Sequence, residues 1–61
     1  MDDELLTEAE LADLLKVSVR TVRAWRVEGT GPPALRIGRG VRYRRREVDA
    51  WLDRQAEEHD G

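Results

Sequence analysis

The block Gly29-Thr30-Gly31-Pro32-Pro33, near the middle of the chain, constrains the fold more than any other stretch. Two consecutive prolines lack backbone N–H groups, and each pushes the residue before it toward extended conformations, so no helix can run through this point. A helix arriving from the N-terminal side has a ready stop in Gly29, which can take the left-handed conformation that closes a helix C-terminus. Beyond the prolines, the spacing of apolar residues changes from three or four to two. The chain is therefore expected to have a helical first half, a stiff connector and a second half that opens with strands.

In the first half, Thr7-Glu8-Ala9-Glu10 has the form of a capping box, with Thr7 as N-cap and Glu10 reaching back to its backbone N–H. A helix is expected over Glu8 to Leu15, with Leu11, Ala12 and Leu15 as its apolar stripe, Leu6 stapling its entry and its acidic face in solvent. Lys16 and Val17 form a tight turn, and Ser18 caps a second helix over Val19 to Glu28. At 100° per residue, Val22 and Trp25 share an inward side while Arg20, Arg23 and Ala24 lie opposite. Val27 falls nearer the arginines, so either it touches a ligand or the helix end is irregular.

After the connector, Ala34 to Ile37 and Val41 to Arg44 alternate as strands, with Gly38-Arg39-Gly40 as the hairpin loop. Read this way, Leu35, Ile37, Val41 and Tyr43 share one face, and Arg36, Arg42 and Arg44 the other. A last helix runs from Arg46 to about Gln55, with Val48, Trp51 and Leu52 as its stripe and Glu47 and Asp49 near the positive end of its dipole. Trp51 is expected at the centre of the core, residues 5–55 to be ordered, and Met1 to Glu4 and Ala56 to Gly61 to be frayed. The order is helix, turn, helix, ribbon, helix: a mainly α domain with a small β-ribbon.

Sixty-one residues without cysteine read as a single domain over residues 1–61, with no disulfide framework and no thiolate zinc site. His59 has no partner ligands, so no metal or cofactor is expected, nor a small-molecule ligand. Apolar runs are too short to cross a membrane and the N-terminus is acidic, which leads us to expect a cytoplasmic protein. The net charge of −2 conceals a sharp segregation. Residues 1–15 hold six acids and no base, residues 16–46 ten bases and the single acid Glu28, and residues 47–61 six acids and Arg54. A basic middle on two adjoining elements is the electrostatic footprint of a surface that follows a nucleic-acid backbone.

Residues 5–15, Leu-Leu-Thr-Glu-Ala-Glu-Leu-Ala-Asp-Leu-Leu, and 17–25, Val-Ser-Val-Arg-Thr-Val-Arg-Ala-Trp, resemble the opening of the small excisionase-like helix-turn-helix proteins, which are related to the DNA-binding end of MerR regulators. The stretch Arg-Ile-Gly-Arg-Gly-Val-Arg-Tyr-Arg-Arg-Arg-Glu-Val-Asp-Ala-Trp-Leu, 36–52, is similar to that family's wing and closing helix. One departure is the tip, Gly38-Arg39-Gly40, where the family often carries another large or basic residue. The resemblance implies a winged helix-turn-helix that binds double-stranded DNA. For members this short, it implies an excisionase, or recombination directionality factor, acting with an integrase and with neighbouring copies of itself in a bacterial cytoplasm, at the nucleoid.

In such a domain the second helix enters the major groove, where an arginine can bond both O6 and N7 of guanine. Arg20 and Arg23 are the candidates for base edges, and Thr21 and Ala24 for a thymine methyl. Ser18 and Arg26 are placed to hold phosphates. On the wing, Arg39, Arg42 and Arg44 are the charges expected along the neighbouring backbone or minor groove, with Arg36, Arg45 and Arg46 either joining them or facing water. On this reading Arg23→Ala relaxes specificity, whereas Arg42→Ala weakens all sequences alike. Tyr43 amid arginines has no histidine or lysine beside it to complete a strand-transfer site, and the exposed acids lack the apolar surroundings that shift a carboxyl pKa, so no enzyme is expected. The alternatives are a small MerR-like transcriptional regulator and, from another class, a protein-interaction adaptor whose basic face binds an acidic partner.

Overall fold

A computed structural model describes residues 4–58; the expected fraying of Met1 to Asp3 and of the last three residues lies outside this range. Six elements follow in chain order: β1 (Leu5–Leu6), α1 (Glu8–Leu15), α2 (Val19–Glu28), β2 (Leu35–Ile37), β3 (Gly40–Arg44) and α3 (Arg45–Glu58). The capping box at α1 is complete, with the Glu10 N–H donating to Thr7 Oγ1 (3.0 Å) and the Thr7 N–H to Glu10 Oε1 (2.8 Å). Helix α1 ends on Lys16 in the left-handed region, φ 62°, whose N–H bonds the Ala12 and Asp13 carbonyls. Gly29, φ 75°, closes α2 by donating to the Trp25 carbonyl (2.7 Å). Gly31 then passes so close to Trp25 that a Cβ on it would lie 2.8 Å from the Trp25 Cβ. The connector is thereby pressed onto the helix it follows.

The three strands form one antiparallel sheet in the order β1-β3-β2. Strand β1 was invisible to periodicity, because two residues have no period. It pairs Leu5 with Arg44 and Leu6 with Tyr43, so Leu6 is a sheet residue as well as the lead into α1. The ribbon register corrects the expected faces. Leu35 pairs with Arg42, Arg36 with Val41 and Ile37 with Gly40, leaving Gly38 and Arg39 as a two-residue turn. Directly opposed residues share a face, so Leu35 and Ile37 lie with Arg42, while Arg36 lies with Val41 and Tyr43. Taking Gly40 into the strand instead of the loop shifts the pairing by one residue, and a shift of one exchanges the faces.

The enclosed core consists of Leu6, Leu11, Ala12, Val22, Tyr43 and Val48, one or two from each of β1, α1, α2, β3 and α3. Each buried Leu or Val contributes about 1.5–3 kcal/mol relative to exposure. Trp51 is not at the centre of this core. It is half-buried and meets Trp25 at a ring-centroid distance of 5.4 Å and a tilt of 49°, forming a second, more superficial contact. Helix α3 starts one residue earlier than expected, directly out of β3, because the Arg45 N–H donates to the Glu4 carbonyl (2.8 Å) beside β1. It also continues through Glu58, past the expected end at Gln55. Three helices around a small sheet, with a ribbon projecting after the second helix, make a winged helix-turn-helix.

Candidate nucleic-acid interface

Helix α2 is regular from its cap to Gly29, which decides the place of Val27. Ser18 Oγ accepts from the Thr21 N–H (3.1 Å) and lies 3.0 Å from Thr21 Oγ1, so both hydroxyls are engaged at the helix start. Arg20, Arg23 and Ala24 are exposed. Val27, 79% exposed, falls on the same side, within an arc of about 100° that all four share. A large apolar side chain thus stands in water between two arginines, on the surface opposite buried Val22.

Facing this helix, the wing presents Arg39 on its two-residue turn and Arg36 on β2, both exposed. Arg42 is half-buried; its Nη1 donates to the Val41 carbonyl (2.9 Å) and fills the space where Gly40 would carry a Cβ. Arg44 is also half-buried and has a partner within the fold. A cleft of about 580 Å³ lies between the start of α1, the flank of α2 and the wing, and is lined by Arg23, Arg26, Arg36, Arg39, Arg42 and the carboxylate of Glu8. That carboxylate is the focus of the cleft. Glu8 Oε1 accepts from Arg23 Nε (3.3 Å) and Oε2 from Arg26 Nε (2.9 Å). Burial disfavours the ionised acid, but the bonds and charges of the two arginines outweigh it and hold the Glu8 pKa below its ordinary 4.5. The neighbouring Tyr43 phenol is pushed up, first by burial and then by the Glu8 charge, with Arg26 opposing both.

An outward helix flanked by a wing, with arginines along both, is the geometry by which one element enters a groove while another grips the backbone. Residues 5–56 match the family model of a helix-turn-helix domain. The chain belongs to that DNA-binding family. No curated protein matches it.

Within this helix-turn-helix domain, the structure brings Arg20, Arg23 and Ala24 to one exposed face as the sequence implied, and adds Val27 to them. It places Arg26 differently from a simple flank contact: the side chain is 27% exposed and bonded to Glu8. Arg45 is likewise engaged inside the domain, with Asp49 Oδ1 at 3.2 Å and Glu4 Oε1 at 3.8 Å. The residue that sequence reasoning missed is Glu8. It was read with the solvated acidic face of α1, yet its side chain is only 16% exposed. A signal was present, since Arg23 and Arg26 are three apart and so neighbours on one helix face. Which acid would meet them depends on how α1 packs against α2, which no local pattern records.

Proposed function

We propose that this domain is an accessory DNA-binding factor of site-specific recombination, an excisionase. In this role it binds repeated sites beside an attachment site, bends the DNA and directs an integrase toward excision. It acts in the cytoplasm of a bacterial host and does no chemistry of its own. The observation that carries the DNA-binding part is the single arginine-bearing surface formed by the outer face of α2 and the wing. The excisionase part rests on the sequence resemblance, in a family that includes excisionase-like proteins. Contacts from several copies in a row would offset the bending cost, about 1–6 kcal/mol for a site of 20–30 base pairs.

The test is footprinting on DNA flanking the domain's own gene and any attachment site, with circular-permutation gels to report bending. Same-orientation repeats protected in cooperative steps beside the attachment site, on bent DNA, are the expected result. Protection of a promoter alone, without repeats or bending, would make the domain a transcriptional regulator. Absence of salt-sensitive binding would make its basic face a protein-docking surface.

A further inference from the structure

Among the described residues, Glu8 is the one carboxylate lining a cleft that five arginines share. It accepts from the Nε–H of Arg23 and from the Nε–H of Arg26. A guanidinium carries five N–H donors in a planar fork, and phosphate uses that fork as readily as carboxylate does. The arrangement therefore resembles an anion site whose anion is supplied by the protein. Position supports this: the cleft lies between the outward face of α2 and the wing, where a DNA strand following both would pass.

We propose that Glu8 is an internal counter-ion that stands in for a DNA backbone phosphate, and that a phosphodiester displaces it from Arg23 and Arg26 when the domain seats on its site. This role rests on the DNA-binding reading above and assigns the cleft a ligand class. In the free protein the carboxylate neutralises part of the charge of two arginines. Any duplex whose backbone takes both arginines must then displace Glu8, and base contacts made elsewhere on the surface do not lessen that cost. The lowered pKa of Glu8 keeps this counter-ion charged at neutral pH. Glu8 regulates affinity and its salt dependence here, because every duplex that engages both arginines carries the cost of displacing it.

The experiment compares wild type with Glu8→Gln, which keeps the shape and removes the charge, on a random-sequence duplex and on a duplex selected from a randomised pool, across a salt series. Freeing one more phosphate contact steepens the log-log salt slope by about 0.9 and tightens random-duplex binding about eightfold at 0.1 M salt. The expected result is that gain on the random duplex and one at least as large on the selected duplex, where Glu8 is displaced, so that the specificity ratio does not fall. Equal or weaker binding of Glu8→Gln to the random duplex would overturn the proposal and leave Glu8 a brace between α1 and α2. Loss of salt-sensitive binding in both proteins would instead overturn the DNA reading, and this role with it. Should Glu8→Gln fail to fold, the Nε–H resonances of Arg23 and Arg26 in the wild type decide. Both must shift when duplex is added, and resonances that stay in place would overturn the proposal.

Discussion

Lys16 is the only non-glycine residue with a positive φ, 62°, among the described residues. The left-handed region costs a residue with a Cβ about 1–2 kcal/mol. The Schellman-type close of α1 requires that conformation, because the Lys16 N–H and the Val17 N–H both turn back onto carbonyls of the last helical turn. We expect Lys16→Gly to stabilise the domain by about 1 kcal/mol, slightly less than the strain removed because glycine also loosens the unfolded chain; urea denaturation would show this as a higher midpoint at unchanged slope. Val27 makes a different demand. An apolar side chain 79% exposed between Arg20 and Arg23 suits the thymine methyl, the one apolar feature of the major groove. Replacing thymines by deoxyuridine in a selected duplex should weaken wild-type binding several-fold at one position and leave Val27→Ala unaffected there. Equal losses for both proteins would place that contact elsewhere.

At the scale of elements, the wing shows how one residue of loop length redistributes charge. With Gly38-Arg39 as the turn, Arg39 sits at the tip, and Gly38 takes φ 59°, a conformation glycine accepts without strain. Arg42 moves to the face of Leu35 and Ile37 and is tied to the Val41 carbonyl. The exposed arginine at the tip of the wing is therefore Arg39. We expect Arg39→Ala to weaken selected and random duplexes alike and to reduce the salt slope by about 0.9, whereas loss of specificity alone would mean that Arg39 reads bases. The helix pair was legible in the sequence because its signals are local: Thr7 and Ser18 as caps, Gly29 as stop, and Leu11, Ala12 and Val22 at helical spacing. The ribbon was legible as strands but not in register, since alternation within each strand is blind to the offset between them. Strand β1 exists only because β3 lies beside it.

For the whole molecule, the Glu8 network joins α1, α2 and β3 through Arg23, Arg26 and Tyr43, and it makes stability depend on pH. The folded-state pKa of Glu8 lies below its ordinary 4.5, so between the two values the unfolded chain binds more protons than the folded one. The stability it contributes is complete above about 4.5 and is lost as pH falls through the lowered value. Denaturation midpoints should therefore drop in this acid range for wild type and drop less for Glu8→Gln; identical acid profiles would show that other carboxylates carry the effect. The same network marks the boundary between what pattern and packing each decide. The sequence by itself determined the order of the helices and the ribbon, the caps, most of the core and the outward arginines of α2, because these follow from period, backbone preference and charge within a few residues. Only the tertiary structure decided which face of the wing carries Arg36, that Trp51 leans on Trp25 outside the core, and that Glu8 lies between two arginines fifteen and eighteen residues away. Those outcomes depend on how separate elements meet, and the free energy of that meeting is shared among side chains that no local window contains together.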